Sequence, residues 1–184
     1  MGTLNLGNTQ ISSSGTTLIT SNNLNLTGDW INAPSGTIIT TAYGTLSSSF
    51  STTNDTQQDT GLATSALVRK LPGGSGAGQS TILITFEGGC RDQSGSSGQD
   101  VTLLYKATNG GSDSEQVYMD AQYSGGYWQG HTGAYFDANA GSAGDSLVYK
   151  AYLRSRGGGN LVYFHRVIGG VSTAAHILAQ EIVN

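Results

Sequence analysis

From about Gly61 to its end the chain is a succession of short apolar stretches parted by glycine-rich joints, and no segment keeps a 3.6-residue period. Without helical periodicity the buried backbone must find its hydrogen bonds between strands. The stretches fall at residues 66–71, 81–87, 101–107, 116–123, 133–137, 146–154, 161–168 and 175–183. Joints such as Gly73-Gly74-Ser75-Gly76, Gly110-Gly111, Gly125-Gly126 and Gly157-Gly158-Gly159 separate them. About eight short strands between such turns predict an all-β chain with an antiparallel, jelly-roll-like β-sandwich over residues 57–184. Alternation is cleanest at 146–154, where Leu147, Tyr149, Ala151 and Leu153 share one face and Val148, Lys150, Tyr152 and Arg154 the other. Residues 161–168 are apolar on both faces apart from His165 and Arg166, as suits a central strand or one covered by another subunit. The stretch 173–182 is too short and too β-branched for a helix and closes the domain as a strand.

Residues 1–56 are different. Their only charges are Asp29 and Asp55, and they hold a repeat with a 20-residue offset. Leu4-Asn5-Leu6 returns as Leu24-Asn25-Leu26, Ile11 as Ile31, and Thr17-Leu18-Ile19-Thr20 as Thr37-Ile38-Ile39-Thr40. Short strands joined by Asn, Ser and Gly turns are the expected structure of this leader. The first forty or so residues offer about eleven large apolar side chains, whose full burial contributes roughly 20–30 kcal/mol. Ordering the same backbone costs roughly 40–80 kcal/mol. Alone the leader stays unfolded, and its composition permits a disordered tail. Wound with two further copies about a threefold axis it can be ordered, with Leu4, Leu6, Ile11, Leu18, Ile19, Leu24, Leu26, Trp30 and Ile31 as the assembly residues.

Charge excludes several partners. Charged residues make up 11% of the chain, the net charge is −4, and the eight basic residues all lie from Arg69 onward without a basic run. Phosphate binding needs clustered Lys and Arg, so nucleic acid is not expected. No apolar stretch approaches membrane-spanning length, and no secretory leader is evident. Cys90 is the single cysteine, which rules out an intrachain disulfide.

Catalytic and cofactor signatures are missing. Residues 73–78 match neither the dinucleotide fingerprint nor the phosphate loop. His131, His165 and His176 lack metal-ligand spacing; His165 and His176 on adjacent strands would still need a third ligand. Cys90 follows Gly88-Gly89 with no nucleophile motif around it. Asp113 and Glu115 are near in sequence but sit in a Gly/Ser loop, where solvated carboxylates are expected. No enzyme, cofactor or metal is therefore expected. One aromatic cluster stands out, with Tyr123, Tyr127, Trp128, His131 and Tyr135 among glycines. Rigid rings on such loops can stack on sugar or anchor a protein partner, or they can fill the sandwich core or a trimer seam.

Several stretches together resemble a group of virion structural proteins of marine tailed phages, especially those infecting cyanobacteria. Ala33-Pro34-Ser35-Gly36-Thr37-Ile38-Ile39 is similar to the junction from a leader into the sandwich. Residues 47–62 (SSSFSTTNDTQQDTGL) are similar to that group's Ser/Thr-rich stretch ending in Thr-Gly-Leu. Ser80-Thr81-Ile82-Leu83-Ile84 resembles its Ser-Ser-Lys-Ile-Leu strand, with Thr81 where a lysine often sits. Residues 149–159 (YKAYLRSRGGG) resemble its penultimate hairpin, and Ala179-Gln180-Glu181-Ile182 its terminal signature. The leader repeat and the aromatic insert near Trp128 fall outside that pattern. The resemblance spans roughly residues 33–184 and implies a jelly-roll-like domain on a homotrimeric fibre, head fibre or similar appendage of a virion. The partners implied are further copies of the chain, other tail or capsid proteins, and a host-surface glycan or protein. Two other functions fit the same composition: a capsid decoration protein that stabilises the shell, and a small polysaccharide-acting enzyme.

Overall fold

The computed structural model describes residues 2–6, 9–13, 34–91, 99–123, 129–156, 159, 161–165 and 174–184. Its regular structure is entirely β and the pairings between strands are antiparallel. In the leader, β1 (Gly2–Leu6) and β2 (Thr9–Ser13) form a hairpin with Leu4 opposite Ile11. Leu18, Ile19, Leu24, Leu26, Trp30 and Ile31 lie outside the described residues.

The chain enters the main body through a turn at Pro34, where Thr37 N–H donates to Pro34 O (3.1 Å). Gly36 sits in this turn at φ +84°, a conformation that favours glycine. Strands β3 (Ile38–Leu46), β7 (Ser80–Arg91), β10 (Gln129–Asp137) and β13 (Ala175–Val183) then make one sheet, in the order β10-β7-β13-β3. Strands β5 (Gln58–Ala63), β8 (Gln99–Thr108), β9 (Ser114–Tyr123) and β11 (Ser146–Arg156) make the other, ordered β5-β11-β8-β9, with the short β6 (Leu67–Val68) also paired to β11. Inward side chains of both sheets meet in one core, including Ile82, Ile84, Phe86, Ile177 and Ala179 from the first and Leu62, Leu104, Leu147, Tyr149 and Leu153 from the second. This is the face-to-face arrangement of a sandwich.

The alternation expected along β11 is present, with Leu147, Tyr149, Ala151 and Leu153 all buried. Three expectations change. The composition boundary at residue 56 falls too late, because β3 pairs with β13 along its length and puts Ala42 and Leu46 into the core. An edge strand needs few apolar residues, which is why IITTAYGTL blends into the Ser/Thr-rich leader. Among the described residues the stretch 161–168 is no central strand: β12 (Val162–His165) pairs with β4 (Phe50–Thr52) in a two-stranded sheet. It contributes Val162 and Phe164 to the core, the latter stacked 6.2 Å from Phe86. His165 and His176 therefore do not sit on paired strands.

The two sheets approach closely along one side, where Ser65 N–H donates to Tyr43 O (3.0 Å). Gly44 makes this possible, since a Cβ there would lie 1.7 Å from Ala63 O. A buried polar network ties the 69–80 loop to β13. Glu181 accepts from Lys70 N–H (2.9 Å), Leu71 N–H (3.0 Å) and Ser80 Oγ–H (2.6 Å), with Arg69 Nε 3.6 Å away. Arg69 Nη2 donates to Ser80 O at 2.9 Å. Asp137 accepts from Lys106 Nζ (2.7 Å) and Tyr149 OH (3.0 Å). Burial, reinforced by Asp137, pushes the Tyr149 phenol far above its ordinary value, so the ring stays a neutral donor.

Candidate functional site

The outward face of the five-stranded sheet carries the chain's most organised polar groups. Period-two alternation on β11 turns Lys150, Tyr152 and Arg154 away from the core, and pairing sets Lys150 opposite Tyr105 and Tyr152 opposite Leu103. The register shifts between β8 and β9 are extra residues on β9, Met119 and Gln116, while β8 pairs with β11 without interruption. Leu104 belongs to the core. Leu103 does not, although it is 0% exposed. Its cross-strand partners are Tyr152 and Tyr118, so side chains of the outer face remove it from water.

Above it the Tyr105 and Tyr152 rings stack with centroids 4.0 Å apart. Asp113 Oδ2 accepts from Tyr152 OH (2.5 Å) and Lys150 Nζ (2.9 Å), while Asp59 lies 3.9 Å from the same ammonium. Glu115 Oε2 accepts from Tyr105 OH (3.0 Å) and Gln57 Nε2 (3.3 Å). At the far side the Arg154 guanidinium lies 5.6 Å from the Tyr118 ring centroid, and Tyr118 is half exposed. Asp113 and Glu115 are thus not free carboxylates: each accepts from a phenol, Asp113 half-buried and Glu115 exposed to solvent as its loop predicts.

Protonation follows from these contacts. The phenol of Tyr152 and then the Lys150 ammonium hold the Asp113 carboxyl below its ordinary value, against a smaller opposing effect of burial. The same carboxylate raises Lys150. Burial and then Glu115 push Tyr105 up to about 12; burial and then Asp113 raise Tyr152 further. Near neutral pH Asp113 is therefore ionised, and the phenols of Tyr105 and Tyr152 stay neutral donors. Beside this network the half-exposed Tyr118 ring, with Arg154 over it, faces solvent.

The aromatic cluster expected near Trp128 is placed in part. Tyr127 and Trp128 lie outside the described residues, and so do the side chains of Tyr123 and His131, whose backbones belong to β9 and β10. Tyr135 is half-buried and packs against the core, and burial raises its phenol. Among the described residues no group of three or more His, Cys, Asp or Glu could hold a metal ion, and no helix is long and apolar enough to cross a membrane.

The tyrosine–carboxylate network was missed because its members come from β5, β8, β9 and β11 and the connecting loops. The alternation on β11 was its one sequence signal. No protein-family model matches the chain, and the comparison with curated proteins gives no match.

Proposed function

We propose that the chain is a non-enzymatic structural protein of a virion: a homotrimeric fibre or appendage module, made of a leader that assembles and a jelly-roll domain that faces outward. The observation that carries this reading is the strand order. Counting the eight long strands of the two sheets along the chain, one sheet takes the first, eighth, third and sixth, and the other the second, seventh, fourth and fifth. This interleaving of both halves of the chain in both sheets is the double Greek key of jelly rolls, a fold common in viral capsid and lectin domains. The leader carries its own β1–β2 hairpin and enters the domain at an edge strand, β3. The resemblance carried by residues 33–184 points the same way. The tyrosine-rich outer face of the five-stranded sheet suits contact with a host-surface glycan or protein, because its rings and cations are already held in place.

Immunogold labelling of phage particles that carry the chain tests the reading. Label at fibre or appendage tips is the expected result. Label spread evenly over the capsid would replace the appendage with a shell-decorating role, and unlabelled particles would overturn the virion reading altogether.

A further inference from the structure

We propose that the outward face of the four-stranded sheet is a binding site for a short neutral oligosaccharide, centred on Glu87 and His176 and bordered by the rings of Tyr43 and Phe136. This goes beyond the reading above and does not rest on it.

Pairing lays the outward residues of the four strands in rows. Thr132, Glu87, His176 and Thr45 form one row across β10, β7, β13 and β3, and all four are exposed. The next row is Ala134, Thr85, Leu178 and Tyr43. Along these rows lies an open depression of about 590 Å³, bounded by Thr132, Glu87, His176, Leu178, Thr85 and Ala134. Small-ligand sites occupy about 300–1,000 Å³. Its floor is low because Ala134 and Thr85 are small. Tyr43, beside Leu178, and Phe136, two residues beyond Ala134, stand above it, 69% and 62% exposed.

The polar groups around the depression are free. Among the described residues, the side chains of Glu87, His176, Thr85 and Thr132 make no hydrogen bond or ion pair, although Glu87 and His176 are cross-strand neighbours. On the other sheet Asp113 and Glu115 each accept from a phenol, so much of their capacity is used within the chain. Here a carboxylate can accept from two hydroxyls, an imidazole can donate at one nitrogen and accept at the other, and threonine hydroxyls do either. A pyranose ring uses both halves of this face. Its hydroxyls need such donors and acceptors, and its C–H side stacks on an aromatic ring.

Other occupants fit less well. Threonines, Glu87 and His176 leave too little apolar surface for a hydrophobic partner. A peptide strand adds at a sheet edge, and beside β3 that place is taken, since Ser65 N–H donates to Tyr43 O (3.0 Å). The same bond fixes the backbone under the Tyr43 ring before any ligand arrives. Among the described residues no Lys or Arg faces out here, so the carboxylate of Glu87 would repel an acidic sugar with nothing to offset it. Length follows from the rings. Phe136 and Tyr43 stand on opposite edge strands, roughly 14 Å apart across the sheet, the reach of a few linked sugars rather than one.

Isothermal titration of the full chain with trisaccharides tests the site. The neutral probes are trimers of glucose, mannose, galactose and N-acetylglucosamine; trigalacturonate is the acidic one. At least one neutral trimer should bind saturably, and trigalacturonate at least tenfold more weakly. Glu87→Ala, His176→Ala and Tyr43→Ala should each weaken that trimer at least tenfold, with circular dichroism unchanged because all three side chains are exposed. Tyr118→Ala, an exposed ring on the other sheet, should change it less than twofold. A neutral trimer that Tyr118→Ala releases and Glu87→Ala keeps would put the sugar on the other sheet and overturn this site. Failure of every neutral trimer to bind, or tighter binding of trigalacturonate, would overturn it as well. None of these outcomes bears on whether the chain belongs to a virion, which the labelling of particles decides separately.

Discussion

The two outer faces of this molecule are built from the same kind of strand and have opposite chemistry. On the five-stranded sheet, Lys150, Asp113, Glu115, Tyr105 and Tyr152 bond to one another and hold an outward leucine out of water. On the four-stranded sheet, Tyr43, Phe136 and Ile38 stand exposed with two ionisable groups near one end, among the described residues. Alternation sends every second residue outward in both cases. What differs is whether the outward side chains find partners within the chain. On one face polar groups and rings satisfy one another; on the other Tyr43, Phe136 and Ile38 stand among threonines with much of their surface in water.

The strongest way to break this comparison is Leu103→Ala. If the tyrosine network makes a small second core, the variant should lose about 2–5 kcal/mol in urea unfolding, as buried leucines do. Leu83→Ala, on the outer face of the four-stranded sheet and only half-buried, should cost clearly less. Equal losses would mean that the two faces are buried alike.

Next in size is Asp113→Ala, which strands the Tyr152 hydroxyl and the Lys150 ammonium. A loss of about 1–3 kcal/mol is expected. A double-mutant cycle with Lys150→Met should give coupling well above that of an ordinary surface ion pair. Additive losses would reduce the network to surface decoration.

The same carboxylate predicts an acid response. Its folded pKa is lowered, so its contribution is fully present above the unfolded value of ~3.9 and is lost as pH falls through the folded one. Wild type should therefore lose stability faster than Asp113→Asn as pH drops from about 5 toward 2, and the gap between them should narrow. A constant gap would mean that Asp113 titrates alike in both states.

Smallest is Tyr118→Leu, which removes the ring under Arg154. An exposed cation–π pair is worth about 0.5–1 kcal/mol, so unfolding should shift by no more than that. A larger loss would mean that the ring, as well as Tyr152, is needed to seal Leu103.

Where side chains speak for themselves, the sequence was legible. Leu147 through Leu153 announced a two-sided strand, Gly36 a turn, and the β-branched tail a closing strand. Strands β4 and β5 were hidden in SSSFSTTNDTQQDTGL because their buried positions include threonines. Thr60 is 3% exposed and donates to Ala151 O (2.7 Å), so its hydroxyl is satisfied in a place where pattern reading looks for an apolar residue. Arg69 was equally opaque: a strand-like stretch gives no sign that its guanidinium will be fully buried beside Glu181, a residue far along the chain.

By itself, then, the sequence determined that this protein is β throughout its described body, which residues of β11 face in, and where many of the turns fall. Those depend on the period of two and on glycine, both local properties of the chain. Only the tertiary structure decided which strands became neighbours, and with that which outward face closed on itself and which stayed bare. The Asp113–Tyr152 bond and the Phe136–Leu83 alignment depend on cross-strand register, and register is fixed by contacts between residues that the chain order keeps far apart.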